Sequence, residues 1–173
     1  MSIYREELLL RSKHVDMYRR LRTSELFRLL QEASIRHTEE LGMGRDKTLD
    51  RGILWVLGLQ TAQIRRMPEY DEEIVLKSWP GKTMHLFFPR YYQIETAAGE
   101  VLVRASALWS LVDQETRKLV FPEKYGVVIE GVHRRGDQPS RKPQEAGAYG
   151  GKPLPGSLQL CGPERPHEQH PLL

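Results

Sequence analysis

Between Thr23 and Leu41 the chain repeats every three or four residues. Leu26, Leu30, Ala33, His37 and Leu41 fall on one face, flanked by Phe27, Leu29 and Ser34, while Glu25, Arg28, Glu32, Arg36 and Glu39 fall on the other. This is the period of an amphipathic α-helix. Thr23 or Ser24 is placed to cap its start, and Gly42 stands where a helix ends. Arg28 with Glu32, and Glu32 with Arg36, have the i,i+4 spacing of ion pairs on the wet face. No other stretch has this character.

The rest of the patterned chain reads as strands. Leu8, Leu9 and Leu10, followed by Val15 and Met17, predict one strand before the helix, broken near Ser12 and Lys13. After a charged loop from Gly42 to Gly52, four runs follow: Ile53 to Met67, Glu73 to Trp79, His85 to Thr96 and Val101 to Val112. Pro68 with Tyr70 to Glu72, Pro80-Gly81 and Ala98-Gly99 separate them as turns, and Asp113 to Arg117 turns the chain into a short last segment that starts at Lys118 to Phe121. Pro89, inside the third run, predicts an edge position or a bulge. The last run alternates most clearly, with Val101, Val103, Ala105, Ala107, Trp109 and Leu111 on one face. Strands this long exceed the usual five or six residues or so, and long antiparallel strands that bend can wrap a helix. The expected fold is α+β, one curved antiparallel sheet around a single long helix.

From Gly131 onward the pattern stops. That stretch holds 7 of the 14 glycines and 7 of the 11 prolines. Its composition predicts a disordered segment, so the domain is expected over residues 1–130 and the tail over 131–173. With 173 residues the chain is sized for one domain. Its net charge of +3 is too small to argue for nucleic acid. The single cysteine, Cys161, excludes an internal disulfide and fits a reducing compartment. The first residues lack a signal-peptide core and no apolar run reaches membrane-spanning length, so a cytoplasmic location is expected.

Several segments together resemble the first hot-dog domain of acyl-[acyl-carrier-protein] thioesterases. These are Leu29-Leu30-Gln31-Glu32-Ala33 with His37 and Leu41-Gly42; Trp55-Val56; Tyr70 to Ile74 leading to Trp79; and Ala105 to Trp109 followed by Asp113 to Leu119. The similarity runs to about His133. The resemblance implies a hot-dog fold, and a fatty acyl chain on acyl carrier protein as substrate. It also implies a second hot-dog domain that carries the catalytic polar residues in a stretch of the form Asp-x-Asn-x-His-x-Asn-Asn. This chain contains no such stretch. Codons able to encode Gln159 to Leu173, read one nucleotide later, permit Ser-Tyr-Ala-Asp-Leu-Asn-Gly-His-Met-Asn-Asn-Thr-Arg-Tyr. The expectation is therefore a tail translated out of frame and a chain with little or no hydrolase activity.

Candidate site residues follow. Glu32 and His37 are weak catalytic candidates. His37 reads first as a core histidine and Glu32 as a solvated partner of arginines, with Glu39 a weaker version of the same. Leu30, Ala33, Trp55, Trp79, Phe87, Phe88 and Trp109 are expected to line an acyl pocket, or simply to fill a core. Arg65, Arg66, Lys77, Lys82, Arg90 and Arg104 are expected on the outer sheet face, as a solvated surface or as a docking surface for an acidic carrier protein. Cys161 in the tail is not a credible nucleophile, and its spacing to His167 and His170 fits no standard zinc pattern. No cofactor, metal or nucleotide motif is present in the sequence. Two alternatives stand beside the leading reading. One is a self-sufficient homodimeric acyl-coenzyme A thioesterase; the other is a non-catalytic acyl-binding module. A chain of this kind, expressed alone, is expected to dimerise.

Overall fold

A computed structural model describes residues 3–132. The sequence elements appear in the expected order: β1 (Tyr4–Leu9), α1 (Thr23–Glu40), β2 (Ile53–Ile64), β3 (Glu73–Pro80), β4 (Phe87–Thr96) and β5 (Val101–Asp113). The five strands form one sheet in the order β1-β3-β4-β5-β2, and every neighbouring pair is antiparallel. A short 3-10 turn at Ser12–His14 follows β1, where the sequence predicts a break. The helix then carries the chain from the β1 edge to the β2 edge, and the curved sheet wraps around it. The tail beyond Val132, with Cys161, His167, His170 and the out-of-frame reading, lies outside the described residues.

The helix buries the face its period predicts. Leu26, Leu30, Ala33 and His37 are fully enclosed, packed with Ile74, Leu76, Tyr92, Ile94 and Ala107 in one core. Each large apolar side chain so removed from water contributes roughly 1.5–3 kcal/mol. A smaller cluster, Ile53, Phe88, Leu111, Val127 and Ile129, closes the far end of the sheet. There Ile129 is held by Thr83, whose hydroxyl donates to its carbonyl at 3.0 Å. Val132 N–H donates to Pro80 at 2.8 Å. Between them Gly131, at φ +79°, presses so close to the backbone that an added Cβ would sit 2.2 Å from the Lys82 nitrogen.

Three details differ from expectation. The helix starts after Arg22, whose extended backbone caps it without a side-chain hydrogen bond, so neither Thr23 nor Ser24 caps. Gly42 does end it, at φ +69°. The helix ion pairs run elsewhere: Arg28 reaches back to Glu25 at 2.7 Å, and Arg36 reaches across to Glu6 at 2.5 Å. β1 passes beside the helix and offers a carboxylate that sequence spacing cannot reveal. Finally, Pro89 lies in a central strand, not an edge. Its carbonyl accepts from Gly81 N–H at 2.8 Å, so its missing N–H would have pointed the same way, toward the end of β3, which stops at Pro80. The one ladder bond it forgoes, to the Gly81 carbonyl, lies just past the end of β3, at the margin of the pairing.

Candidate acyl-binding site

Side chains alternate across a strand, and β4 shows which side meets the helix. Tyr92 is fully buried and its hydroxyl bonds Ser34 of α1 at 2.6 Å. Phe88, Arg90 and Ile94 share that parity and face inward. On β5 the register pairs Phe88 with Trp109 and Arg90 with Ala107, which places Trp109 inside as well.

A cavity of about 120 Å³ lies between the C-terminal half of α1 and this inward face. Ile35, Trp55, Phe88, Pro89, Trp109 and Ile129 supply its apolar lining, and Ser34, Thr38, Arg90 and, from the helix end and following loop, Glu39, Arg45 and Thr48 its polar lining. Trp55 meets Phe88 edge-on with ring centroids 4.7 Å apart, the arrangement aromatic quadrupoles favour. The Trp55 indole N–H reaches the Met43 carbonyl at 3.4 Å, which fixes the ring against the loop after the helix.

The polar side of the cavity is a buried network. Arg90 is only 4% exposed. Its Nη1 donates to Nδ1 of His37 at 3.0 Å and to the Ser78 hydroxyl at 3.2 Å, and its Nη2 donates to the Thr38 hydroxyl at 3.1 Å. Because arginine has only donors, His37 accepts at Nδ1 and carries its proton on Nε2. The next turn back, Ser34 donates to the Leu30 carbonyl at 2.8 Å, so the Tyr92 hydroxyl donates to Ser34. Burial raises the Tyr92 phenol above its ordinary value, opposed by the Arg90 charge, Ser34 and the Trp109 indole. The Trp109 N–H lies toward that phenol without normal hydrogen-bond geometry. Burial lowers Arg90.

The candidates from sequence separate cleanly. Trp55 and Trp109 line the cavity; Leu30 and Ala33 sit in the core beneath the helix. Trp79 faces the other side of the sheet, where it stacks on Tyr91 at 6.2 Å, and Phe87 has that same outward parity. Neither lines the cavity, because β3 and β4 turn those positions away from α1. Glu32 is half-buried on the helix flank, outside the lining; Glu39, the weaker candidate, stands in the lining. The lone pair of His37 Nδ1 is committed to Arg90, which removes it as a base at that nitrogen. Of the outer-face arginines and lysines, Arg65 and Arg104 are exposed. Arg66 is engaged by Glu72 through two contacts at 2.9 and 2.7 Å, and Lys77 pairs with Glu95 at 2.5 Å. Arg90 is a correction: it points inward and is enclosed, so it is no part of an outer docking surface. Sequence reasoning passed over Ser34, Thr38 and Arg45 as lining. The parity of Phe88, Arg90, Tyr92 and Ile94 was the available signal.

The family model for the acyl-ACP thioesterase N-terminal domain matches residues 1–124. The chain belongs to the acyl-ACP thioesterase family. An acyl-[acyl-carrier-protein] hydrolase of Cuphea viscosissima is 25% identical over 123 residues, covering 67% of this chain and 30% of that protein. An oleoyl-acyl carrier protein thioesterase of Arabidopsis thaliana is 25% identical, covering 67% of this chain and 34% of its own length. The chain thus spans about a third of the length of these relatives. Among solved structures, an acyl-ACP thioesterase from Bacteroides thetaiotaomicron superposes with a TM-score of 0.71 at 22% identity, over 80% of this chain and 58% of that one. The 12:0-ACP thioesterase of Umbellularia californica gives 0.66 at 22% identity, over 83% and 57%. The curved sheet around one helix in this acyl-ACP thioesterase domain is therefore the hot-dog fold. Among the described residues no helix is long and apolar enough to cross a membrane, and no group of histidine, cysteine or acidic residues is arranged to hold a metal.

Proposed function

We propose that this chain forms the acyl-binding half of a thioesterase that hydrolyses fatty acyl-[acyl-carrier-protein] thioesters. The observation that carries the reading is the apolar cavity walled by Trp55, Phe88 and Trp109, in a chain matched by the N-terminal-domain model of that family. Such a cavity suits a hydrocarbon chain, because most of its lining surface is apolar and aromatic rings bury large area.

Thioester cleavage needs an activated water or nucleophile, and donors aimed at the oxyanion that forms. Behind the lining, the His37 imidazole is tied to a cation through Nδ1, and the carboxylate in the lining is Glu39. We assign this chain to holding the acyl group and not to cleaving the bond. Carrier docking falls to the exposed Arg65 and Arg104, as a salt-sensitive steering field.

Expressed alone, the chain is proposed to pair with a second copy through β2. That strand has one neighbour, β5, and carries Val56 and Ile64 at 40% and 43% exposure. An open edge of this kind invites pairing. The test is equilibrium binding and turnover of an octanoyl thioester of acyl carrier protein by the purified chain, with its mass measured by light scattering. Saturable binding without turnover, by a dimer, is expected. Absence of binding would sink the acyl reading. Turnover abolished by one substitution within residues 1–130 would favour the self-sufficient enzyme, and Glu39 would be the first residue to replace. A clean monomer at high concentration would remove the pairing.

A further inference from the structure

Arg90 is a buried cation without a carboxylate. Among the described residues its three hydrogen bonds all go to neutral acceptors, His37, Ser78 and Thr38, and none of the ion pairs includes it. A guanidinium has five N–H donors, so two remain for something else. Enclosing a charge without a counter-charge is costly, and burial alone already pushes this arginine's proton affinity down. The same side chain forms part of the cavity lining, with the hydrocarbon and aromatic surface of Ile35, Trp55, Phe88, Pro89 and Trp109 beside it. Glu39 and Arg45 also line the cavity. Glu39 makes no ion pair with Arg90, and Arg45 is held by Asp50 at 3.1 Å.

A cation without a counter-charge in one wall, beside the apolar surface of Trp55, Phe88 and Trp109, describes a receptor for an amphiphile with one small anionic end. We propose that Arg90 binds a carboxylate at the end of a hydrocarbon chain, with the carboxylate at the Arg90 wall and the chain along Trp55 and Phe88. The planar fork of arginine matches a carboxylate. A cavity of about 120 Å³ is near the roughly 150 Å³ that accepts a benzene ring, so it takes a chain segment of a few carbons and leaves the remainder toward the mouth. Two sources share this chemistry: a free fatty acid, and an acyl chain whose far end is itself oxidised to a carboxylate. The inference rests on the acyl-binding reading for its hydrocarbon part and goes beyond it in the charged end.

The test is calorimetric titration of the intact 173-residue chain at neutral pH with octanoate, 1-octanol and the monomethyl ester of octanedioic acid. The acids are expected to bind at least about tenfold tighter than the alcohol, the range for a hydrogen bond to a charged group. Arg90→Met is expected to abolish that preference and Arg90→Lys to retain part of it, with Lys118→Gln, in the exposed loop after β5, unchanged. If Arg90→Met does not fold, the acid-against-alcohol ratio in the unmodified chain decides alone. Tighter binding of the half-ester than of octanoate assigns the site to an oxidised chain end; the reverse assigns it to free fatty acid. Equal affinity for octanoate and octanol would overturn the role of Arg90 and leave the acyl-binding reading standing. No binding of any of the three would overturn both.

Discussion

Arg90 of β4 and His37 of α1 are joined at 3.0 Å through the middle of the core. The bond ties the sheet to the helix where both are closed to water. It also fixes the histidine as an acceptor. Replacing His37 with Leu should leave a guanidinium N–H without its partner, at a cost of about 1–3 kcal/mol. Urea denaturation of His37→Leu against the unmodified chain measures this, and His37→Gln, which restores an acceptor, should recover part of it. A Leu variant as stable as the parent would mean the bond contributes nothing net.

Tyr92 makes stability sensitive to alkali. Its buried phenol holds its proton more tightly folded than unfolded, where the ordinary value is 10.0. The unfolded chain therefore loses that proton first as pH rises, and stability falls. The contribution is complete below about pH 10 and is lost as pH climbs through the folded value. Denaturation curves from pH 8 to 11 or so should show a decline that is shallower in Tyr92→Phe. Parallel curves for the two proteins would remove Tyr92 as the cause.

At the other end of the pH scale, Glu72 is the group to follow. Arg66, and then the Glu69 backbone N–H, hold its carboxyl below its ordinary 4.5. A depressed carboxylate stabilises the fold above its unfolded value and ceases to do so as pH falls through the folded one. Glu72→Gln should be less stable than the parent at pH 7 by roughly 0.2–1 kcal/mol, since the pair is partly exposed. The gap should close as the solution is made more acidic than the ordinary carboxylate range. A gap independent of pH would point to packing instead.

The two faces of the sheet should separate two tryptophans by function. Trp55→Leu removes cavity lining and should weaken octanoate binding about tenfold or more, with a smaller effect on folding. Trp79→Phe, on the far side with Tyr91, should lower thermal stability and leave affinity within roughly twofold. Equal losses of affinity in both variants would contradict the assignment of Trp79 to the outer face.

Much of this fold was legible because one signal dominated. The period from Leu26 to His37 has a single solution, and the helix observed, Thr23–Glu40, differs from the expected one by a residue at its end. Strand positions followed from turn residues, and the ends of β2 to β5 moved by three residues or fewer, whereas β1 stops at Leu9, short of the expected Val15 and Met17. The inward face of β4 was harder to read. Phe87, Phe88, Tyr91 and Tyr92 put aromatics on both sides, so alternation gave no contrast, and Arg90 read as one more surface charge. The contacts of Tyr92 with Ser34 and of Arg90 with His37 reveal which parity is inside. The pairing of Glu6 with Arg36 was beyond reach for a different reason. It depends on how two elements 30 positions apart come to lie side by side.

The crossing at Gly131 has a consequence for the order in which the site is made. Ile129 walls the cavity and is held there by Thr83 and by the passage of Gly131 over Gly81 and Lys82. All five strands and the helix precede it in the chain. A nascent polypeptide can therefore complete the sheet while its acyl site still lacks a side, and the wall closes only when the residues through Val132 have emerged. A fragment ended at residue 124, where the family match stops, would keep every strand and yet present an open trough.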